Sequence, residues 1–263
     1  MENYFLSNDD PSDRITTALL LAAGTGSRLE PLTTTAPKCL TEVNGVPILE
    51  RQIHSLRECG FKRLVVVVGH LENCIRQYLN EHAGDLEVEY VVSPKYKTTN
   101  NIYSLWLARY RIREPFVMLE CDLIFDPDLL QDMMVPDRIA VAEIEPWMMG
   151  STVGINSNHQ ITDFHVGHSE GLLGSRYKTV NIYSFSRSSW QLVAERLNER
   201  IMNGKVKDYY ETVFAEMVTD GSLDLEPVFF ADGCWYEIDT AEDLHEAERI
   251  FPGDSSPLTA SYG

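Results

Sequence analysis

Positive charge is scarce in this sequence. Its 263 residues carry 22 Lys+Arg against 40 Asp+Glu, a formal charge of −18. That balance excludes a protein that coats nucleic acid or an anionic membrane through a general basic field. Any anionic ligand must instead be held by locally concentrated cations. Cysteine is sparse as well: Cys39, Cys59, Cys74, Cys121 and Cys234 show no CxxC or other metal-ligand spacing. An odd count without such spacing argues against a disulfide framework and suits a reducing compartment. One reactive thiol is an option, and buried small hydrophobes are the commoner role. The longest apolar runs, 18–23 and 64–68, are too short to span a bilayer. The first fourteen residues are acidic and polar, unlike a signal or transit peptide. Repeats, low-complexity blocks and Pro/Gly/Ser-rich linkers are missing. The expectation is a soluble cytoplasmic protein whose partners are small molecules or proteins.

Enough apolar material is present to fold. Hydrophobic residues make up 44% and aromatics 10%, which excludes a disordered acidic tail. The length allows one large domain or two small ones. Residues 1–16 read as a loosely held lead-in, 17–251 as one domain and 252–263 as a frayed tail. Apolar runs closed by glycine predict buried strands over 17–22 and 63–68, with further strands over 86–92 and 116–119. Helical spacing over 48–59, 71–79 and 101–111 alternates with them. That cadence implies right-handed βαβ units around a mostly parallel sheet. The second half changes character. Short alternating runs over 139–143, 152–155, 160–164 and 179–185 predict a small antiparallel insertion spanning 139–185. Helices over 188–200 and 208–218, a strand near 224–230 and a helix over 241–250 complete the chain.

In open α/β sheets, ligands sit beyond the carboxyl ends of the strands. The first strand delivers Ala22, Ala23, Gly24, Thr25, Gly26, Ser27 and Arg28 to that edge. Small residues bring backbone N–H groups close to phosphate oxygens, and Arg28 adds a bidentate anion donor. Lys38 follows in Ala36-Pro37-Lys38. GxxxxGK[ST] is missing, and Gly24-Thr25-Gly26 lacks the third glycine of a dinucleotide fingerprint. Taken alone, the glycines also fit a plain tight turn. Asp122 ends an apolar strand, and Asp239 precedes a helix that opens at Thr240. Two carboxylates meeting at strand ends suit the oxygen-only coordination of Mg²⁺ with phosphates. A turn residue at Asp122 and an N-cap at Asp239 are the bland alternatives.

The string LAAGTGSRLEPLTTTAPKCL resembles the signature loop of the sugar-phosphate and alcohol-phosphate nucleotidyltransferases. NNIYSL at 100–105, Glu120-Cys121-Asp122, YKTVNIY at 177–183 and YEID at 236–239 resemble the CTP-dependent subgroup, the phosphocholine and phosphonate cytidylyltransferases. The resemblance covers about 17–250. It implies a Rossmann-like, mostly parallel sheet of the nucleotide-diphospho-sugar transferase type. It also implies transfer of CMP from CTP to a small phosphonate or phosphate ester, with loss of pyrophosphate. Arg28, Lys38, Asp122 and Asp239 would be catalytic, the two aspartates holding Mg²⁺. Ala22, Ala23 and Gly24 would face cytosine and ribose, with Thr25 in the same loop, and Gly26, Ser27 and Arg28 would wrap the β- and γ-phosphates. Asn101 and Ser104, one helical turn apart, would reach the nucleotide or cap their helix.

The acceptor is less defined. Trp147, Tyr183, Trp235, Tyr236 and Glu237 offer parts of a cation box or, more commonly, core. His165, His168, Arg176 and Lys178 bring positive charge, with Lys178 the candidate for a phosphonate group and Arg176 for an added carboxylate or a solvated loop. Glu237 would support the metal or bind the acceptor. Phosphocholine and sugar 1-phosphates are the alternative acceptors. A homodimer is compatible with the chain.

Overall fold

Alternating strand and helix signals become alternating elements in the computed structural model, which describes residues 14–145, 148–167, 176–251 and 253. The predicted lead-in up to residue 13, Trp147, His168 and the tail at 252 and 254–263 lie outside the described residues. Strand β1 (Thr17–Ala22) runs through the glycine loop into three single-turn 3-10 helices, the last at Lys38–Leu40. A small hairpin, β2 (Glu42–Val43) and β3 (Val46–Pro47), precedes α1 (Ile48–Glu58), β4 (Arg63–Val68), α2 (Glu72–His82) and β5 (Glu87–Val92). Then come α3 (Asn101–Ala108), β6 (Phe116–Glu120), β7 (Leu123–Phe125) and α4 (Pro127–Asp132). The second half holds β8 (Arg138–Glu143), β9 (Thr152–Ile155), β10 (Ile161–His165), β11 (Arg176–Phe185), α5 (Arg187–Met202) and α6 (Glu211–Thr219). Strands β12 (Glu226–Phe229) and β13 (Trp235–Glu237) and helix α7 (Ala241–Ile250) finish it.

The main sheet runs β10-β9-β11-β6-β1-β4-β5, with β8 on β11 and β12 on β8. Strands β6, β1, β4 and β5 are mutually parallel, and β9, β10 and β11 are antiparallel additions. This is the expected α/β arrangement. The 139–185 stretch contributes its strands to this same sheet. Residue parity assigns the two faces. Ala18, Leu20, Leu64, Val66, Val117 and Leu119 pack under α1 and α2, while Leu19, Val65, Phe116 and Met118 pack under α3, α5 and α6. Both faces of β1 and β4 are buried, which is why these strands read as unbroken apolar runs.

The sequence reading assigns no element just after Gly26, and two of its later bounds shift. The chain after Gly26 coils into 3-10 turns because Pro31 and Pro37 interrupt any continuous helix. Helix α3 stops at Ala108, and the following residues form a turn. Strand β11 begins at Arg176, earlier than predicted, since its first residues pair with β9. Strand β13 lies antiparallel to β7, with Glu237 opposite Leu123. The Ile238 amide donates to the Asp122 carbonyl at 2.9 Å. This pairing closes the distance between two segments more than a hundred residues apart.

Candidate active site

The loop after β1 is shaped by one glycine. Gly26 has φ 64, and a Cβ there would stand 3.0 Å from Thr33 Cγ2 and 3.1 Å from Lys38 Cβ. Both conformation and space therefore require glycine. Its carbonyl accepts from Thr33 Oγ1 at 2.8 Å and from the Leu29 amide at 2.9 Å. At Gly24 a Cβ would meet nothing within 4 Å, so that backbone faces open space. The loop borders a cleft of about 360 Å³ at the carboxyl ends of the parallel strands. Ala23, Gly24, Thr25, Gly26, Ser27 and Arg28 line it, together with Lys38, Asn101, Ser104, Asp122 and Asp239. Ala22 does not; it is buried in β1.

Charges in the cleft are few and paired. The Lys38 ammonium donates to Asp122 Oδ2 and Asp239 Oδ1, both at 2.6 Å. Burial alone would lower its pKa, but the two carboxylates outweigh burial and hold the ammonium above the usual lysine range. Arg28 is largely exposed and reaches the same Asp239 oxygen at 2.8 Å. Asp239 is not the cap of α7. Thr240 fills that place, in a capping box with Asp243. Asp243 Oδ2 also accepts from the Asp239 amide at 3.0 Å, so the helix start fixes the backbone of Asp239.

Behind Lys38 lies an acidic rear wall that sequence reasoning only touched. Strand parity carries Glu120 to the α3 and α6 side of β6. There Asn101 Nδ2 donates to Glu120 Oε1 at 3.3 Å and to Glu211 Oε2 at 3.5 Å. Asn101 Oδ1 accepts from the Tyr210 amide at 3.1 Å. Asn101 thus lines the cleft while tying half-buried Glu120 to buried Glu211, and the helix cap falls to Asn100. Ser104 Oγ donates to Ser93 Oγ at 3.4 Å. Burial, then repulsion from Asp122, Glu211 and Glu237, pushes Glu120 well above the carboxylate range. Burial likewise brings Glu211 to about 7, against hydrogen bonds and Lys178 that pull the other way. Glu237 is raised by burial and by its acidic neighbours despite Lys178.

Helix α1 secures this wall from below. Gln52, 2% exposed, donates through Nε2 to the carbonyls of Glu120 at 2.8 Å and Leu123 at 3.0 Å. Those carbonyls flank the turn that carries Asp122. In the sequence Gln52 sits on an amphipathic helix face and shows no sign of this task. Parity with Phe116 and Met118 is the signal that places Glu120 on this face; Glu211 is marked in the sequence only by the Tyr209-Tyr210-Glu211 string, which resembles enzymes acting on phosphonates.

The acceptor candidates divide. Lys178 is 3% exposed; its Nζ donates to the Thr179 carbonyl at 2.7 Å and lies 3.2 Å from Glu237 Oε2. Arg176 is held by Thr152 Oγ1 at 2.9 Å and Asp163 Oδ1 at 2.6 Å and does not line the cleft. Tyr183, Trp235 and Tyr236 are buried core, and His165 lies on β10. All five cysteines are free. Burial pushes the Cys39 thiol up to about 12, which removes it as a nucleophile at neutral pH.

The donor set suits a hard divalent cation. Among the described residues, carboxylate oxygens of Glu120, Asp122 and Glu237 lie within 4.8 Å of one another. The buried Asp122 Oδ1 has no hydrogen-bond partner. Oxygen donors, excess negative charge and a partnerless buried oxygen fit Mg²⁺. Asp239, the other aspartate read from the sequence as a ligand, shares the Lys38 ammonium with Asp122 instead.

Fold and cleft together define a nucleotidyltransferase domain: a glycine loop at a parallel-strand edge, a lysine between two aspartates and three converging carboxylates. The chain belongs to the MobA-like NTP transferase domain family, which matches residues 18–255. CMP-5'-(3-aminopropyl)phosphonate synthase of Streptomyces rubellomurinus is 30% identical over 244 residues, covering 89% of this chain and 38% of that protein. The chain therefore spans well under half of that relative. Choline-phosphate cytidylyltransferase of Streptococcus pneumoniae is 26% identical over 243 residues, covering 90% of this chain and 99% of that one. A solved structure of CTP:phosphocholine cytidylyltransferase from Streptococcus pneumoniae shares the fold with a TM-score of 0.78 at 21% identity, over 90% of this chain and 99% of that chain. No helix among the described residues is long and apolar enough to cross a membrane.

Proposed function

We propose that the chain is a cytoplasmic cytidylyltransferase that moves CMP from CTP to a small phosphonate or related phosphomonoester and releases pyrophosphate. The observation that carries this reading is the Lys38 ammonium set between Asp122 and Asp239 beneath the glycine loop. The triphosphate would lie along the backbone N–H groups of 24–28, with Arg28 exchanging Asp239 for a phosphate oxygen. Arg28 is exposed enough to make that exchange. Lys38 would stand by the α-phosphate and offset charge as it develops. An oxygen of the acceptor phosphonate attacks the α-phosphorus in line. A new P–O–P bond forms, the bond to the bridging oxygen breaks, and pyrophosphate leaves. The attacking group is already an anion, so no general base is needed; positioning and charge neutralisation do the chemistry. Mg²⁺ held by Asp122, with Asp239 or the Glu120 and Glu237 carboxylates, would supply positive charge to the triphosphate.

The acceptor's charged end would meet the Glu237–Lys178 pair, which lies beyond the Glu120 and Asp122 carboxylates and outside the residues that line the cleft. Relatives named for an aminoalkylphosphonate and for choline phosphate support a small zwitterion. Phosphocholine is the second reading, favoured by a relative matched over 99% of its length. The test is pyrophosphate release by the full chain with Mg²⁺, CTP and a panel of aminoalkylphosphonates, phosphocholine and sugar 1-phosphates. Release with an aminoalkylphosphonate is expected. Turnover with sugar 1-phosphates alone overturns the acceptor class.

A further inference from the structure

Strand β11 departs from regular geometry where it passes the rear wall. Its register against β8 shifts between Thr179 and Tyr183, and within that shift Asn181 has φ 61. L residues other than glycine seldom adopt this left-handed region, asparagine being a frequent exception. In a regular strand, residues three apart face opposite sides of the sheet. Here Lys178 and Asn181 reach one carboxylate. Asn181 Nδ2 donates to Glu237 Oε1 at 3.3 Å, and Lys178 Nζ lies 3.2 Å from Glu237 Oε2. Both β11 residues are buried, at 3% and 6% exposure. Asn181 Oδ1 is anchored in turn by Thr179 Oγ1 at 3.1 Å, which sets the amide so that its N–H faces Glu237.

Glycine would supply the backbone conformation without an amide. A second lysine would hold the carboxylate but add a positive charge beside a cation site. A neutral amide in a left-handed bulge does what neither can. It fixes one carboxylate oxygen while leaving the local charge unchanged. Glu120 and Asp122 are among the other neighbours of Glu237, with carboxylate oxygens that converge with its own; Asp239 and Lys38 also act on it, and the buried Asp122 Oδ1 lacks a hydrogen-bond partner.

We propose that Asn181 is a positioning residue: from the β11 bulge, and together with Lys178, it sets Glu237 as the third carboxylate of a divalent-cation site with Glu120 and Asp122. The inference rests on reading the cleft as a site of metal-assisted nucleotidyl transfer. Outer-shell hydrogen bonds of this kind commonly change metal affinity by about 10- to 100-fold.

The test is a Mn²⁺ titration of the full chain followed by electron paramagnetic resonance, with and without CTP, alongside thermal unfolding. Asn181→Gly keeps the backbone conformation and removes the amide. It should weaken Mn²⁺ binding about tenfold while unfolding within about 2 °C of the parent. Asn181→Ala should weaken Mn²⁺ equally and also unfold at a lower temperature, because alanine is strained at that φ. Parent-like Mn²⁺ affinity in Asn181→Gly overturns the inference, as does weakening in the alanine variant alone. A parent protein that binds no Mn²⁺ in either condition overturns the metal reading of the cleft and this inference with it. The acceptor panel stands apart from every one of these outcomes.

Discussion

The front and the rear of the cleft are built in opposite ways. The front is contiguous: fifteen positions separate Gly24 from Lys38 when both are counted, and one glycine conformation folds the stretch onto itself. The rear is assembled from five elements: Glu120 from β6, Lys178 and Asn181 from β11, Glu237 from β13, Asn101 from α3 and Glu211 from α6. At the front the arginine is solvent-facing, and at the rear carboxylates converge and repel one another. The shape of the loop is therefore set by a local motif, whereas charge balance depends on the packing of the entire sheet.

The largest effect should come from the joint between the two regions. Lys38→Ala or Asp122→Ala is expected to cut pyrophosphate release by on the order of 10³-fold, the scale of a lost preorganised electrostatic group. Retention of parent-like kcat in either variant would show that the reaction occurs elsewhere. Gln52→Leu probes the rear without touching the front. It leaves two buried carbonyls without their donor, which should cost about 1–3 kcal/mol in urea unfolding and lower kcat with little change in the KM for CTP. Unchanged stability would remove Gln52 as the support of the Asp122 turn.

Proton linkage separates the regions further. Glu211 is held at about 7 against an ordinary 4.5, so the folded state binds its proton more tightly than the unfolded state. Its contribution is complete below pH 4.5 and is lost as pH rises through about 7. Glu211→Gln cannot titrate. Relative to the parent it should gain on the order of 2 kcal/mol between pH 5 and pH 8. Parallel stability curves would contradict a strained rear wall. The smallest effect belongs to Arg176→Ala. Its guanidinium is committed to Thr152 and Asp163, so acceptor KM should change less than about twofold; its ion pair with an exposed aspartate is worth little. A large rise in acceptor KM would return Arg176 to the site.

Much of this was open to reading from residues alone. The strands over 17–22 and 63–68, the helix over 48–59 and the last helix match the structure to within a residue or so because burial on both faces or on one stripe leaves an unmistakable period. The glycine loop, Lys38, Asp122 and Asp239 are legible in the sequence, since each sits in a contiguous string. Glu120, Asn181 and Glu211 lie in the strings Glu120-Cys121-Asp122, YKTVNIY and Tyr209-Tyr210-Glu211, but no string says what those side chains touch, and Gln52 carries no local mark at all. Their importance arises from which backbone lies opposite: a carbonyl pair above Gln52, an asparagine between two glutamates, a carboxylate beyond a bulge.

The sequence by itself determined the alternation of strand and helix, the glycine-rich loop and the scarcity of cations that makes Arg28 and Lys38 count. Tertiary structure alone decided that Asp239 and Asp122 share one ammonium, that Glu120, Asp122 and Glu237 converge, and that Arg176 turns to Asp163. The physical reason is the range of the forces involved. Backbone conformation and apolar periodicity act between near neighbours in the chain, so they are written locally. The balance of buried charge sums over every group within a few ångströms, and those groups become neighbours only when the sheet is complete.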